Sequence, residues 1–412
     1  MRSLVYRKSV PRYLLMRAGA KRIKNLETSR FSPLALEDIP EPKLPTSEWV
    51  RVKPLLSGIC GSDLGTLSSE NSPYFSPITS PPFTMGHEVV GTVTTDNSGF
   101  RTGERVVLEP ALGCAVRGID PPCEFCAMGR HALCVNVARG NISPGIQTGF
   151  CHDTGGGWSQ RSLVAHPSQL HRVPDAVPDE AAVAIEPLAC AVHAALKNAP
   201  GPDDTTLVIG AGSVGLFTVA ALRQLTPAGR IICVAKHARQ KEEALRLGAN
   251  EVIHPKETYT ALPTMLGTRT YKPELGKPVV MGGAEKVFEC VGSPGTMEDA
   301  VRLTRPGGEV ALVGMPGARS SLDLTALWYK EVSLAGTYAY GVEEYQGEKT
   351  SSFDLALRIA PEIGLETMVG PRFRLEEYRE AIATARAAGR GGYVKVVFDH
   401  RGFRQQASGI GE

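Results

Sequence analysis

The sequence lacks any apolar run long enough to cross a membrane, and it lacks a large excess of charge of either sign. A spanning helix needs about 18 or more consecutive apolar residues, and no stretch of the chain provides them. The net charge of +2 gives no strong field for nucleic acid. No apolar segment follows the basic residues at the N-terminus, so a secretory signal is not predicted. These absences predict a cytoplasmic protein that binds neither nucleic acid nor membrane.

Cysteines in a pattern suited to disulfides are also lacking. The nine cysteines are an odd number, and five of them fall between Cys60 and Cys134. Without a secretory signal, such clustering favours metal binding over disulfide formation. The length of 412 residues predicts two domains. A composition of 42% hydrophobic and 21% charged residues is typical of a globular protein.

A glycine-rich turn lies between a short β-branched strand and a helical segment. The apolar run 207–209 precedes the turn, and the helix-period segment 216–222 follows it. This context predicts a dinucleotide-binding turn, whose candidate contacts are Gly210, Gly212, Ser213, Val214 and Gly215. Gly210 permits the tight turn, Gly212 lets the backbone approach the pyrophosphate, and Gly215 lets the helix pack close to the strand. The alternative is a glycine turn that binds nothing.

The residues after the second strand of this unit indicate which dinucleotide binds. An NAD site usually carries Asp or Glu about 20 residues beyond the glycines, and here that position is Ala235. Lys236, His237 and Arg239 follow, and their side chains can pair with a 2′-phosphate. We therefore predict NADP rather than NAD as the cofactor. The alternative is a solvated basic loop that leads into the next helix.

Strands and helices alternate from residue 205 to residue 336, which predicts a doubly wound parallel sheet. Before them, short apolar runs separated by glycine and proline in 54–110 predict an irregular, mostly-β domain. The C-terminal part leaves the alternation and is predicted to return to the first domain. The predicted domains are therefore 1–190 and 191–338, with 339–412 returning to the first.

Three further segments carry local predictions. The stretch 11–30 is rich in arginine and lysine and is predicted to form a surface excursion. A helix over 178–197 is predicted to be interrupted at Pro187. Residues 402–412 are predicted to be a frayed tail.

Two groups of residues could bind metal ions. In the first, a Cys-x2-Cys step and two flanking cysteines suit a closed, tetrahedral structural zinc site formed by Cys114, Cys123, Cys126 and Cys134. The alternative for this group is a set of buried or reducible thiols. The second group combines a thiolate, an imidazole and carboxylates, namely Cys60, His87, Glu88 and Glu186.

The second group has the composition of a catalytic zinc site. Three protein ligands leave a fourth position open for a substrate oxygen. Asp63, near Cys60 in the sequence, is suited to orient the His87 ring as a hydrogen-bond acceptor. A lone cysteine or histidine is more often a core residue than a ligand, so only the joint occurrence indicates a metal.

Together these motifs resemble the zinc-dependent medium-chain alcohol dehydrogenases. The stretches that carry the resemblance are 58–63, 86–91, 103–106, the cysteine lobe and the glycine turn, in the same order. Glu186-Pro187-Leu188 resembles the sorbitol, threonine and glucose dehydrogenase branch, in which Glu replaces the third ligand cysteine. The resemblance implies an α/β fold in which a Rossmann domain is inserted into a GroES-like catalytic domain. It also implies a catalytic zinc held by Cys60, His87 and Glu186, with Glu88 able to exchange in.

The sequence departs from the family pattern at several points. Eight residues separate Cys114 from Cys123, where relatives usually have two closely spaced cysteines. Gly65 occupies the position at which relatives often carry a proton-relay histidine, so the proton is predicted to leave through Ser62 and then Thr66 or water. The stretches 11–30 and 255–284 have no clear counterpart.

The implied activity is the oxidation of a secondary alcohol, such as a polyol or sugar, with NADP+ as hydride acceptor. In that mechanism zinc lowers the pKa of the substrate hydroxyl, and Ser62 passes the proton outward. The catalytic residues so implied are Cys60, Ser62, Asp63, His87 and Glu186. A homodimer or homotetramer is expected. The alternatives are a zinc-free enone or quinone reductase and a non-enzymatic NADP-binding sensor of the same fold, both of which typically lack the zinc ligands.

Overall fold

The computed structural model describes residues 1–20, 22–23, 25–317 and 321–402. The segment predicted to be a frayed tail lies, apart from Gly402, outside the described residues. No helix among the described residues is both long enough and apolar enough to cross a membrane.

The N-terminal part of the chain is rich in short strands. These strands are β1 (Arg2–Tyr6), β2 (Leu34–Asp38), β3 (Val50–Gly58), β4 (Phe83–Thr84), β5 (Val89–Val93), β6 (Arg105–Leu108), β7 (Leu163–Ala165) and β8 (Leu170–Arg172). Its helices are α1 (Val10–Gly19), α2 (Gly61–Leu67), α3 (Glu124–Ala127), α4 (Asp179–Ala182) and α5 (Ile185–Lys197). The segment predicted as a surface excursion therefore contains a helix, α1.

The middle of the chain alternates strand and helix. Its strands are β9 (Thr205–Ile209), β10 (Arg230–Val234), β11 (Glu251–Ile253), β12 (Thr270–Tyr271), β13 (Val279–Val280), β14 (Ala284–Glu289), β15 (Thr304–Leu312) and β16 (Ser333–Gly336). Its helices are α6 (Ser213–Leu225), α7 (Ala238–Arg246), α8 (Thr258–Met265), α9 (Pro294–Leu303) and α10 (Thr325–Tyr329). The C-terminal part adds β17 (Val342–Tyr345), β18 (Glu348–Ser351), β19 (Val369–Phe373), β20 (Lys395–Asp399), α11 (Ser352–Ile359), α12 (Tyr378–Arg386) and α13 (Ala388–Gly391).

The middle strands form the predicted doubly wound sheet. Six strands lie in the order β11-β10-β9-β14-β15-β16, and every neighbouring pair is parallel. The strand order reverses between β9 and β14, and the crevice outside the carboxyl ends of the strands at such a point is where ligands bind. The glycine turn follows β9 directly, so it lies at this crevice.

The strands before β9, together with β19 and β20, form the predicted mostly-β domain, while β12 with β13 and β17 with β18 form separate two-stranded sheets. Its main sheet has the order β19-β20-β3-β5-β6-β8, with β7 also paired to β3. Strand β20, from the end of the chain, pairs antiparallel with β3 and parallel with β19. The C-terminal strands thus complete the first sheet, and residues far apart in sequence become neighbours there.

Helix α5 connects the two sheets through one continuous core. Its buried residues include Ile185, Leu188 and Val192, which belong to a cluster that also contains Leu56 of β3 and Phe217 of α6. The predicted interruption at Pro187 is wrong in position. The break lies between α4 and α5, and Pro187 is inside the first turn of α5, where its missing N–H would have no helical partner.

His400 is a fully buried imidazole that directly follows β20. Burial disfavours its charged form and lowers its pKa to about 4. Between the unfolded value of about 6.5 and pH 4, the unfolded chain therefore binds more protons at this site than the folded chain does. The free energy of unfolding should fall by up to about 1.4 kcal/mol per pH unit as pH drops through this window.

The variant His400→Gln is expected to lose this part of the acid sensitivity. Urea unfolding between pH 4 and pH 7.5 measures the slope. The exposed His152 provides the control variant, His152→Gln, which should keep the slope of the parent protein. An unchanged slope in His400→Gln would contradict the assignment.

Candidate active site

Cys60 lies at the start of helix α2, immediately beyond strand β3. Its backbone N–H donates to Asp63 Oδ2 at 3.0 Å, so the first turn of α2 fixes the backbone that carries the thiol. Asp63 is fully buried, and its other oxygen, Oδ1, lies 3.4 Å from His87 Nδ1. One carboxylate therefore connects the cysteine backbone to the histidine ring.

His87 and Glu88 lie between β4 and β5, and both are buried. Gly86, just before them, has φ +92°, and a Cβ atom there would come within 2.3 Å of the Trp158 side chain. A side chain at position 86 would therefore clash with Trp158, so this backbone beside the two candidate ligands requires glycine. The metal-binding atoms of Cys60, His87 and Glu88 lie within 4.8 Å of one another.

Each ring nitrogen of His87 has a polar side chain beside it. Nδ1 faces Asp63, whereas Nε2 lies 3.5 Å from Ser62 Oγ. Burial disfavours the charged ring, but the nearby charges of Asp63 and Cys60 outweigh it and raise the pKa of His87. A carboxylate partner on one ring nitrogen is the usual arrangement for a histidine that binds metal through the other.

Glu88 forms a buried ion pair that the sequence did not reveal. Lys395 Nζ lies 2.6 Å from Glu88 Oε1 and 2.8 Å from Oε2. Both residues are buried, and 307 positions separate them in the chain. Both carboxylate oxygens of Glu88 thus have a cationic partner.

Glu186 lies in the first turn of α5 and is buried. Its carboxylate is not among the metal-binding atoms of Cys60, His87 and Glu88 that lie within 4.8 Å of one another. Burial raises the pKa of Glu186 to about 7, while His87 and Lys395 act in the opposite direction. Its hydrogen-bond partner is the Cys190 thiol, one helical turn later, at 3.8 Å.

Helix α2 also carries the groups predicted to move the proton. Thr66 Oγ1 donates to the Ser62 carbonyl oxygen at 2.9 Å and accepts from Asn71 Nδ2 at 2.7 Å. The Thr66 hydroxyl is therefore bonded to the backbone and not to the Ser62 hydroxyl. Gly65 occupies the position at which relatives often carry a proton-relay histidine. A Cβ atom there would lie 2.7 Å from Asn71 Oδ1, so the Asn71 amide is next to this position.

The four cysteines of the lobe lie together. Their sulfur atoms are within 4.8 Å of one another, although eight residues separate Cys114 from Cys123. The Cys123 N–H donates to Cys114 Sγ at 3.3 Å, and both the backbone and the side chain of Asn136 donate to lobe sulfurs at 3.3 Å. Four sulfurs with N–H donors fit a tetrahedral zinc site, because such donors stabilise thiolate charge.

Arg117 organises the longer loop between the first two lobe cysteines. Its guanidinium is fully buried and donates to the carbonyl oxygens of Leu112, Arg139 and Gly145 at 3.0, 2.8 and 2.6 Å. Arg117 was not predicted from the sequence, because a buried arginine has no recognisable spacing pattern.

The variant Cys126→Ser is expected to lose about one zinc ion per chain and to lower the melting temperature by more than about 5 °C, because metal binding contributes to folding free energy. Metal analysis and thermal unfolding of the purified protein measure both. Cys233→Ser, in the buried strand β10, is the control and should retain full zinc content. Unchanged metal content in Cys126→Ser would contradict a structural zinc in the lobe.

The dinucleotide turn has the geometry that its glycines require. Gly210 has φ +99°, and a Cβ atom on Gly215 would lie 1.7 Å from the Gly210 carbonyl oxygen. Gly212 has nothing within 4 Å of such an atom, so its face of the turn is open to a ligand. Ser213 begins α6, followed by Val214, and donates through Oγ to the Val394 carbonyl oxygen at 2.8 Å.

This last contact joins the two predicted sites. Val394 is adjacent to Lys395, which binds Glu88 in the metal-binding group. A segment of two residues thus contacts the dinucleotide turn on one side and the potential metal ligands on the other. The two predicted sites therefore lie close to each other in the fold.

The residues predicted to select NADP lie beyond β10. Ala235 is buried, and Lys236, His237, Lys241 and His254 line a cleft beside it, together with Glu257. Arg239, also predicted to contact the 2′-phosphate, forms an ion pair with Glu243, with its Nη2 2.5 Å from Glu243 Oε1. Lys241 lies within α7 and His254 follows β11, so neither belongs to the short motif from which the contacts were predicted.

Two stretches of the chain match models of known protein families. Residues 46–175 match the family model for the alcohol dehydrogenase GroES-like domain, and residues 213–353 match the model for zinc-binding dehydrogenase. The chain is 28% identical over 380 residues to L-idonate 5-dehydrogenase of Vitis vinifera, covering 91% of this chain and 92% of that one. It is 28% identical over 313 residues to sorbitol dehydrogenase of Bacillus subtilis strain 168, covering 74% and 79%.

Solved structures agree with the fold. The crystal structure of 2R,3R-butanediol dehydrogenase from Bacillus subtilis has a TM-score of 0.69 at 21% identity, and the match covers 97% of this chain and 99% of that one. The two family models together span most of both domains, in the same order as in the relatives. The chain therefore belongs to the zinc-dependent medium-chain alcohol dehydrogenase family of oxidoreductases.

Proposed function

We propose that the protein is a zinc-dependent dehydrogenase that interconverts a secondary alcohol of a polyol and the corresponding ketone, with NADP as the hydride carrier. The observation that carries the proposal is that the group of Cys60, His87 and Glu88 lies close to the dinucleotide turn. The segment Val394–Lys395 contacts both. An oxidoreductase of this kind needs its metal and its dinucleotide side by side.

The donor set fits zinc, because sulfur, imidazole nitrogen and carboxylate oxygen are its usual ligands. Cys60 and His87 would supply two of them. Glu186 would supply the third, since both oxygens of Glu88 are bound by Lys395, whereas Glu186 has no ion pair among the described residues and accepts from the Cys190 thiol at 3.8 Å. When bound, zinc would supply Lewis acidity that lowers the pKa of an alcohol hydroxyl.

The chain's own residues would perform the remaining steps. Asp63 would orient the His87 ring through Nδ1, and Ser62 offers a hydroxyl beside Nε2 as the first acceptor for the substrate proton. Because Thr66 is bonded to the Ser62 carbonyl oxygen, the proton would continue to water and not to Thr66. Lys395 compensates the charge of Glu88.

The substrate class is suggested by the relatives. L-idonate, sorbitol and 2R,3R-butanediol, named for three of them, all carry adjacent hydroxyl groups. A panel of such polyols, offered with NADP+ and with NAD+ to the zinc-loaded protein, tests the proposal through the absorbance of the reduced nicotinamide. Turnover of at least one polyol, with two zinc ions per chain, is expected.

Other outcomes would favour the two rival functions. Reduction of an enone or quinone without bound metal would favour a zinc-free reductase. Tight dinucleotide binding with neither metal nor turnover would favour a sensor. The retained set of Cys60, His87 and Glu186 favours the dehydrogenase over both.

A further inference from the structure

The N-terminal 30 residues have a charge that the rest of the chain does not share. Nine of the 45 basic residues and one of the 43 acidic residues lie there, so this stretch carries +8 and the remainder −6. A charge asymmetry of this kind indicates an interaction with an anionic partner. None of these residues belongs to the proposed catalytic or dinucleotide site.

Helix α1 presents its apolar face to solvent. Val10, Leu14 and Leu15 are 63%, 58% and 40% exposed. Val10 and Leu14 are four residues apart, as are Pro11 and Leu15, so these side chains form one continuous stripe on a helix. The opposite face packs on the domain, where Met16 is fully buried and Gly19 leaves no room for a side chain against Leu26.

Basic side chains border this stripe on both sides. Arg12 and Arg17 are exposed, and their recorded hydrogen bonds go to neutral groups, the Ser32 carbonyl oxygen and the Tyr13 hydroxyl. Among the described residues, neither arginine forms an ion pair. The acidic side chains nearby are already paired, Glu37 with Arg7 and Glu27 with Arg386.

Two more apolar side chains extend the surface beyond the helix. Ile23 is 53% exposed and Phe31 is 48% exposed, with the Arg30 guanidinium 4.8 Å from the centre of the Phe31 ring. Arg22 and Lys8 are exposed as well. The result is an apolar strip surrounded by cations, which we call the α1 surface and define by Lys8, Val10, Arg12, Leu14, Leu15, Arg17, Arg22, Ile23, Arg30 and Phe31.

We propose that the α1 surface binds peripherally to an anionic lipid bilayer. Exposed aliphatic side chains can enter the boundary between head groups and acyl chains, while flanking arginines and lysines contact anionic head groups. A second copy of the same surface would bring like charges together, which disfavours self-association. Nucleic acid would satisfy the cations but would leave the aliphatic strip exposed to water.

This proposal revises the sequence-based expectation of no membrane partner. That expectation rests on the lack of a spanning run, and a helix that lies in the plane of the interface needs none. The α1 surface is built into the fold, because β1 precedes the helix and pairs with both β2 and β4. The protein would thus bind as a folded enzyme.

Co-sedimentation of the full-length protein with vesicles tests the proposal. Binding is expected to phosphatidylcholine vesicles that contain phosphatidylglycerol, and to be weak on pure phosphatidylcholine and at high salt. The variant Arg12→Glu/Arg17→Glu should bind the anionic vesicles at least 25-fold more weakly, at about five-fold for each positive charge lost. Leu14→Ser/Leu15→Ser should also weaken binding by at least about ten-fold.

Matched changes elsewhere on the surface provide controls. Lys349→Glu removes an exposed cation, and Leu275→Ser removes an apolar side chain that is 92% exposed. Both should bind vesicles like the parent, and all variants should keep its melting temperature. If the control variants lose as much vesicle binding as the α1 variants, binding depends on total charge or hydrophobicity and not on the α1 surface. That result would overturn the proposal. Absence of binding to anionic vesicles, or a change of oligomeric state in the α1 variants alone, would also overturn it.

Discussion

Replacing Cys60 by alanine is expected to lower kcat/KM for polyol oxidation by roughly 1000-fold and to leave dinucleotide binding unchanged. Lewis-acid stabilisation of developing charge is worth several kcal/mol, and about 4 kcal/mol corresponds to this factor. Cys60 offers the sulfur among the potential ligands of this site, so its loss removes a bond that neither His87 nor Glu186 replaces. The Rossmann sheet does not contain Cys60, so the dinucleotide turn should be unaffected.

Three measurements are needed for this variant: steady-state kinetics, zinc content and the Kd for NADP+. Zinc content should fall by one ion per chain, because the cysteine lobe is separate. Cys151→Ala, which changes a buried cysteine in the same part of the chain, is the control and should keep both activity and zinc. If Cys60→Ala keeps more than about a tenth of parental turnover, the catalytic-zinc proposal is wrong.

Three further variants distinguish Glu186 from Glu88 as the third zinc ligand. Glu186→Gln should lower zinc affinity, because it removes a ligand charge. Cys190→Ala, which removes the hydrogen-bond partner of Glu186, should retain zinc. The reverse result, with zinc lost only in Glu88→Gln, would assign the third ligand to Glu88.

Much of the parallel sheet was predictable because its strands are buried on both faces. Such strands appear in the sequence as short apolar runs, and the runs 207–209 and 231–234 lie within β9 and β10. The glycine turn was predictable for a related reason, since Gly215 contacts the backbone of Gly210 and has no room for a side chain. Local patterns carry this kind of information.

The details of the site depend on contacts that no local pattern contains. Lys395 contacts Glu88 because β20 returns to the first sheet and pairs with β3. Lys395 binds both carboxylate oxygens of Glu88, and it does not bind Glu186 in this way. Arg239 was predicted to pair with a 2′-phosphate, and the structure adds an ion pair with Glu243, one helical turn later, that the motif does not indicate. A proline in the first turn of α5 was misread as a break because proline is tolerated there. For Glu88 and Arg239 the sequence shows the residue type but not its partner, and for Pro187 it does not show the position within the helix.

The unmodified protein is expected to prefer NADP+ over NAD+ by about 100-fold in kcat/KM. Two charge-assisted hydrogen bonds to a 2′-phosphate contribute on the order of 1.5 kcal/mol each, which corresponds to roughly this ratio. Lys236 and His237 are the candidates for these bonds, with Lys241 and His254 in the same cleft. NAD+ would gain none of these contacts and would find Ala235 where a carboxylate usually binds the ribose.

The double variant Ala235→Asp/Lys236→Ala should shift the preference toward NAD+, because the new carboxylate accepts from the ribose hydroxyl and repels a 2′-phosphate. Arg239→Ala is the matched control. Since its guanidinium already binds Glu243, this variant should change the preference by less than about three-fold. For the unmodified protein, the ratio of kcat/KM for NADP+ to kcat/KM for NAD+ should fall as the salt concentration is raised, because the contacting side chains are partly exposed. Equal or better use of NAD+ by the unmodified protein would mean that the basic cleft beside Ala235 is a solvated turn.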